Sequence, residues 1–125
     1  MRVLLADGHT QVRWALRTAI REEPGLIVIG EASNVQTLLS QAQGLHPDLI
    51  LLEWELPGAP TEGALLSALR DLDPQAQVVV LGRQPEAELA ALSGGADLFV
   101  NKAAGPAQLL AALRTLAEVG PATCA

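Results

Sequence analysis

Residues 49–58 read Leu-Ile-Leu-Leu-Glu-Trp-Glu-Leu-Pro-Gly, LILLEWELPG. Four aliphatic residues run without a polar break, stop at the carboxylate of Glu53, and give way to a Pro57-Gly58 turn. A short, continuous apolar run bounded by turn residues reads as a strand covered on both faces, the pattern of a parallel sheet. In such sheets ligand chemistry gathers beyond the carboxyl ends of the strands, which explains why a buried strand would finish on an acid.

Working outward, similar runs occur at Val3–Ala6, Ile27–Ile29 and Val78–Leu81, with a shorter one at Leu98–Val100 after the turn-like GGAD. Segments with helical spacing separate them. Val12, Leu16, Ala19 and Ile20 share one helix face. Ser33 or Asn34 caps a second helix carrying Leu38, Leu39 and Ala42, and Thr61 caps a third carrying Leu65, Leu66 and Leu69. Pro85 and Pro106 suit the first turns of a fourth and a fifth, the last holding Leu109, Leu110, Leu113 and Leu116. The predicted order is strand then helix, repeated through five units, and the right-handed crossover rule leads to an open, doubly wound parallel α/β sheet.

The 125 residues suffice for one domain and are too few for two ordinary ones. The domain is expected over residues 1–119, with 120–125 (GPATCA) as a short flexible tail that reads as an ending. A formal charge of −6 and the lack of a basic stripe exclude a generic phosphate-backbone binder, so no direct nucleic-acid contact is expected. Cys124 is the sole cysteine, which removes disulfide frameworks and Cys/His metal clusters. The N-terminal apolar run is too short for a signal peptide or membrane span, and a cytoplasmic, membrane-free setting is expected.

Five strands in this arrangement bring several polar residues to one cleft. The first delivers Asp7, Gly8 and His9; the third Glu53, Trp54 and Glu55; the fourth Gly82 and Arg83; the fifth Asn101 and Lys102. Carboxylates thus face a lysine and an arginine.

On these residues the chain resembles the response regulator receiver domains of two-component signalling, nearest to those preceding helix-turn-helix domains. The matching pieces are RVLLADGH, VIGEASN, HPDLILLEWELPG and GGADLFVNKAAGPAQLLAALR, in order along nearly the whole chain. The resemblance implies a flavodoxin-like fold with strand order 2-1-3-4-5. It also implies a phosphoacceptor aspartate at the end of strand three, paired acids after strand one that help hold Mg²⁺, a hydroxyl ending strand four and a lysine after strand five. Mg²⁺ and the lysine offset charge on a transferring phosphoryl group.

Against that pattern, Asp7 and Lys102 match, and Phe99 matches in type the aromatic switch position. The second acid is Gly8, the acceptor position is Glu53, the hydroxyl position is Gly82, and the residue after it, usually small, is Arg83. Without the second acid, a Mg²⁺ site on Asp7 and Glu53 is expected to be weak or absent. The extra methylene of glutamate displaces its oxygens by about 1.5 Å, enough to cost roughly a hundredfold in a positioned reaction. A degenerate phosphoacceptor site is therefore expected, with no cofactor required.

Two readings of Glu53 stand side by side: a built-in imitation of the phosphorylated state, or an acid kept after its chemistry was lost. Arg83 either folds over the acids in place of a metal or remains a solvated loop residue. Asp7-Gly8-His9 partly matches the Asp-x-His-x-x-Gly motif of cobalamin-binding domains, but Val12 occupies the glycine position. Trp14 falls about 200° from Val12 around its helix, off the apolar face.

The expected function is a stand-alone, atypical receiver, not an enzyme, acting independently of phosphorylation through contacts with a sensor kinase, another regulator or itself, including a homodimer. The alternatives are a working phosphoacceptor with weak Mg²⁺ dependence and a small-molecule sensor using the strand-end cleft.

Overall fold

A computed structural model describes residues 1–58 and 62–119 of the chain. The elements follow in the order β1 (Arg2–Ala6), α1 (Thr10–Arg21), β2 (Ile27–Ala32), α2 (Val35–Leu45), β3 (Leu49–Glu53), α3 (Glu62–Leu72), β4 (Gln77–Gly82), α4 (Pro85–Ser93), β5 (Leu98–Asn101) and α5 (Pro106–Val119), with one 3₁₀ turn at Lys102–Ala104. The expected Thr61 cap and the 120–125 tail lie outside the described residues.

The five strands are parallel in the order β2-β1-β3-β4-β5. This is the flavodoxin-like arrangement, with its switch point between β1 and β3. Successive side chains of each strand point to opposite faces and so feed two separate cores. Leu4, Ala6, Ile50, Leu52, Val78 and Val80 pack with Leu38, Ala42, Leu65, Leu66, Leu69 and Ala91 beneath α2, α3 and α4. Val3, Leu5, Leu49, Leu51, Val79, Leu81 and Val100 pack with Ile20, Leu109 and Leu113 beneath α1 and α5. All five residues of β3 are buried, so each of its large aliphatic side chains contributes about 1.5–3 kcal/mol of burial.

The helix starts follow from local chemistry. Asn34 caps α2, its side chain accepting from the Thr37 N–H at 2.8 Å, which selects Asn34 over Ser33. Pro85 opens α4, where a missing N–H costs nothing.

Two expectations need correction. Glu53, Gly82 and Asn101 are the last residues of their strands rather than the first residues past them. The β2 run is longer than expected, and as the sheet edge, with only β1 beside it, it leaves Ile27 63% exposed.

Candidate functional site

The registers of β1, β3, β4 and β5 assemble the cleft. Ala6 pairs with Leu52, so Asp7 and Glu53, the next residues along, stand side by side at the switch point. Glu53 pairs with Leu81 and Gly82 with Asn101, which sets Gly82 and Lys102 on the far side. Asp7 and Glu53 are only 1% and 5% exposed, and two ionised acids cannot remain buried without partners.

Their partners are on adjacent elements. The Lys102 ammonium donates to Asp7 Oδ2 at 3.0 Å and lies 3.4 Å from Glu53 Oε1, bridging both carboxylates. The Gly8 N–H donates to Glu53 Oε2 at 2.8 Å, and the His9 N–H donates to Asp7 Oδ1 at 2.9 Å. The His9 ring turns back over the same acids, with Nδ1 3.0 Å from Asp7 Oδ1 and 3.4 Å from Glu53 Oε1. Burial pushes the Asp7 carboxyl upward, but the His9 N–H and the Lys102 ammonium act against it, and Asp7 is held below its ordinary value.

The two glycines have definite neighbours. A Cβ on Gly8 would lie 2.8 Å from Cδ and 2.9 Å from Cγ of Pro57, so the proline ring occupies the space of a second acid. That ring is anchored: the Pro57 carbonyl accepts from the Val35 N–H at 3.0 Å, and Gly58 takes the left-handed turn with φ of 92°. A Cβ on Gly82 would lie 2.8 Å and 2.9 Å from Cε2 and Cζ of Phe99. The aromatic ring is thus turned toward the end of β4 and fills the place of a β4 side chain.

Beside the acids opens a cavity of about 400 Å³ lined by His9, Glu53, Trp54, Gly82, Arg83 and Lys102, among others. Trp54 also packs against the α2–α4 core, with its ring half-buried at the cleft. Arg83 lines the cavity but is exposed, and among the described residues it pairs with no carboxylate. Arg83 thus stands on the solvent side of the cavity, while Lys102 and His9 cover the acids.

The sequence reading placed Asp7, Gly8, Glu53 and Lys102 in one cleft, and the structure brings them together. It gave His9 no role, although the residue contacts both acids. It also missed Arg13, whose Nη1 donates to the Asp7 carbonyl at 2.6 Å from the first turns of α1, and Pro57, the neighbour of Gly8. The HxxxR spacing of His9 and Arg13, one helical turn, was the available signal for Arg13.

The family model described as response regulator receiver domain matches residues 3–114. The nitrate/nitrite response regulator protein NarL of Escherichia coli K12 is 35% identical over 92% of this chain and 54% of its own length. The transcriptional regulatory protein LiaR of Bacillus subtilis is 30% identical over 97% of this chain and 58% of its own length. The chain therefore spans about half the length of these relatives. Among solved structures, a LuxR-family two-component response regulator from Aurantimonas superposes with a TM-score of 0.83 at 28% identity, covering 91% of this chain and 82% of that one. The response regulator domain of Thermotoga maritima CheB superposes with a TM-score of 0.73 at 26% identity, covering 82% and 78%.

Proposed function

The chain belongs to the response regulator receiver domain family, and from that premise we propose that it is an atypical receiver whose phosphoryl pocket is satisfied internally and which signals through protein contacts without being phosphorylated. The observation that carries this reading is the Lys102 bridge: the cation that would grip a phosphoryl oxygen is already held by Asp7 and Glu53. Phe99 over Gly82 supports it further, because no hydroxyl stands at the end of β4 and an aromatic ring fills that space.

Mg²⁺ fits these residues poorly. The ion demands near-octahedral oxygen ligands, yet position 8 offers no carboxylate, Pro57 blocks the room for one, and an ammonium lies against both remaining acids. Glu53, longer than aspartate, has one oxygen bound to the Gly8 N–H and the other facing Lys102. Its geometry is that of a structural acid in a hydrogen-bonded pocket.

The partner under this reading is a protein: a sensor kinase, another regulator or a second copy of the chain. No helix among the described residues is long and apolar enough to cross a membrane. Exposed apolar side chains suited to protein contact stand on α1 at Trp14, 60% exposed, and on α4 at Leu89, 72% exposed.

The test is incubation with acetyl phosphate and Mg²⁺, followed by intact-mass measurement, with beryllofluoride titration of Trp54 fluorescence in a Trp14→Phe background. The expected results are no phosphoryl adduct and no saturable change in emission. A Mg²⁺-dependent adduct mapped to Glu53 overturns the proposal in favour of a working phosphoacceptor.

A further inference from the structure

We infer that the groove between α1 and α5 binds a small amphiphilic carboxylate, an aliphatic or aromatic body with one anionic head. The cavity there holds about 380 Å³, within the size range of small-molecule sites. Val12 and Leu16 of α1 and Leu109 of α5 form its walls, and Leu81 and Val100, near the ends of β4 and β5, form its floor. On the α1 side the small side chains of Ala15 and Ala19 leave the space between the helices open. An apolar body that enters this space is withdrawn from water against aliphatic surface on three sides.

The charge around the groove selects the head group. Arg83 and Lys102 both line it, and none of the described residues that line it is acidic, in a chain whose formal charge is −6. Lys102 is committed to Asp7 and Glu53, whereas Arg83 is exposed and pairs with no carboxylate among the described residues. A guanidinium in that position grips a carboxylate through two parallel hydrogen bonds and keeps its charge at any ordinary pH. The N-terminal end of α5 opens onto the same groove at Pro106, and its first turn carries no acid, so its positive end favours an anion as well.

Neither Asp7 nor Glu53 lines the groove. The inference therefore does not rest on the phosphorylation reading, and a ligand can occupy the α1–α5 side while the Lys102 bridge stays intact.

The experiment titrates the full chain with octanoate and, separately, with octylammonium, both below their micelle-forming concentrations, and follows ¹⁵N–¹H correlation spectra. The expected result is saturable one-to-one binding of octanoate with the largest shifts at Val12, Ala15, Val100 and Leu109. Octylammonium on the wild type, and octanoate on Arg83→Gln, should each bind at least about tenfold more weakly. Ala15→Leu, which fills the groove from an exposed position, should weaken octanoate similarly, and Arg21→Gln, an exposed charge on α1 outside the groove, should leave it unchanged. Sedimentation velocity without ligand should give wild type and Ala15→Leu the same state of association. The proposal is overturned if octanoate does not saturate, if octylammonium binds as tightly, if Arg83→Gln retains wild-type affinity, or if Arg21→Gln loses as much. Shifts centred on Trp54 and Glu86, in the neighbouring cavity, overturn it too, as does a dimer that Ala15→Leu dissolves, since a second copy would then be the occupant.

Discussion

The Lys102 ammonium donates to Asp7 Oδ2 across 3.0 Å, tying the residue after β5 to the residue after β1. Both side chains are largely withdrawn from water, and Glu53 shares the same cation at 3.4 Å. The pocket thus holds two acids and one ammonium in mutual contact, with the His9 ring as its lid.

Lys102→Met leaves both carboxylates without their main counter-charge, and urea denaturation at neutral pH should show a loss of about 2–4 kcal/mol. Unchanged stability would mean that the bridge contributes nothing net.

The pH dependence follows from Asp7. Its folded-state value lies below its unfolded one, so its stabilisation is fully present above about pH 4 and is lost as pH falls through the folded value. In Lys102→Met one depressing contact is gone, and the acid-unfolding midpoint should move to higher pH. Far-ultraviolet circular dichroism against pH, on both proteins, measures the displacement.

Gly8→Asp, the change that restores a second acid, drives its side chain into the anchored Pro57 ring. It should destabilise by about 1–3 kcal/mol, and Pro57→Ala in the same chain should recover part of the loss. A double-mutant cycle by thermal melting reads the coupling; strict additivity of the two changes would show that Gly8 and Pro57 do not compete for space.

Gly82→Ser should displace the Phe99 ring, since the new Cβ would begin 2.8 Å from Cε2. Phe99 is the chain's only phenylalanine, so a fluorinated analogue gives one ¹⁹F resonance at a known position. The resonance should shift on Gly82→Ser and stay fixed on Gly44→Ser, whose Cβ meets nothing within 4 Å.

Asn34→Ala removes the acceptor for the Thr37 N–H and should cost about 0.5–2 kcal/mol, with Asn34→Asp retaining most of the stability. Thermal melting of the three proteins orders them.

The fold was legible because its signals are local. LILLE, flanked by Asp48 and the Pro57-Gly58 turn, reads as a buried parallel strand whatever surrounds it, and helix starts at Asn34, Pro85 and Pro106 are written in one or two residues each. The edge position of β2 followed from the strand order that the resemblance implies, because Ile27–Ile29 by its own composition reads as a central strand.

Glu53, Gly8, Gly82 and Lys102 were identifiable as cleft residues from their positions at strand ends, and the resemblance to receivers marked which of them depart from a working phosphoacceptor. What each glycine makes room for was not legible. Pro57 is 49 positions from Gly8, and Phe99 is 17 from Gly82, so neither neighbour follows from spacing. Likewise Arg83 and Lys102 are both cations at strand ends, and sequence could not choose between them as the partner of the acids.

By itself, then, the sequence determined the order of elements, the parallel sheet and the convergence of Asp7, Glu53 and Lys102, because hydrophobic periodicity, caps and turns act over a few residues. Only the tertiary structure decided that Lys102 rather than Arg83 bridges the acids, that His9 closes over them, and that Pro57 and Phe99 fill the places beside Gly8 and Gly82. Those outcomes depend on distances of a few ångströms between residues far apart in the chain, and such distances exist only once the strands are in register.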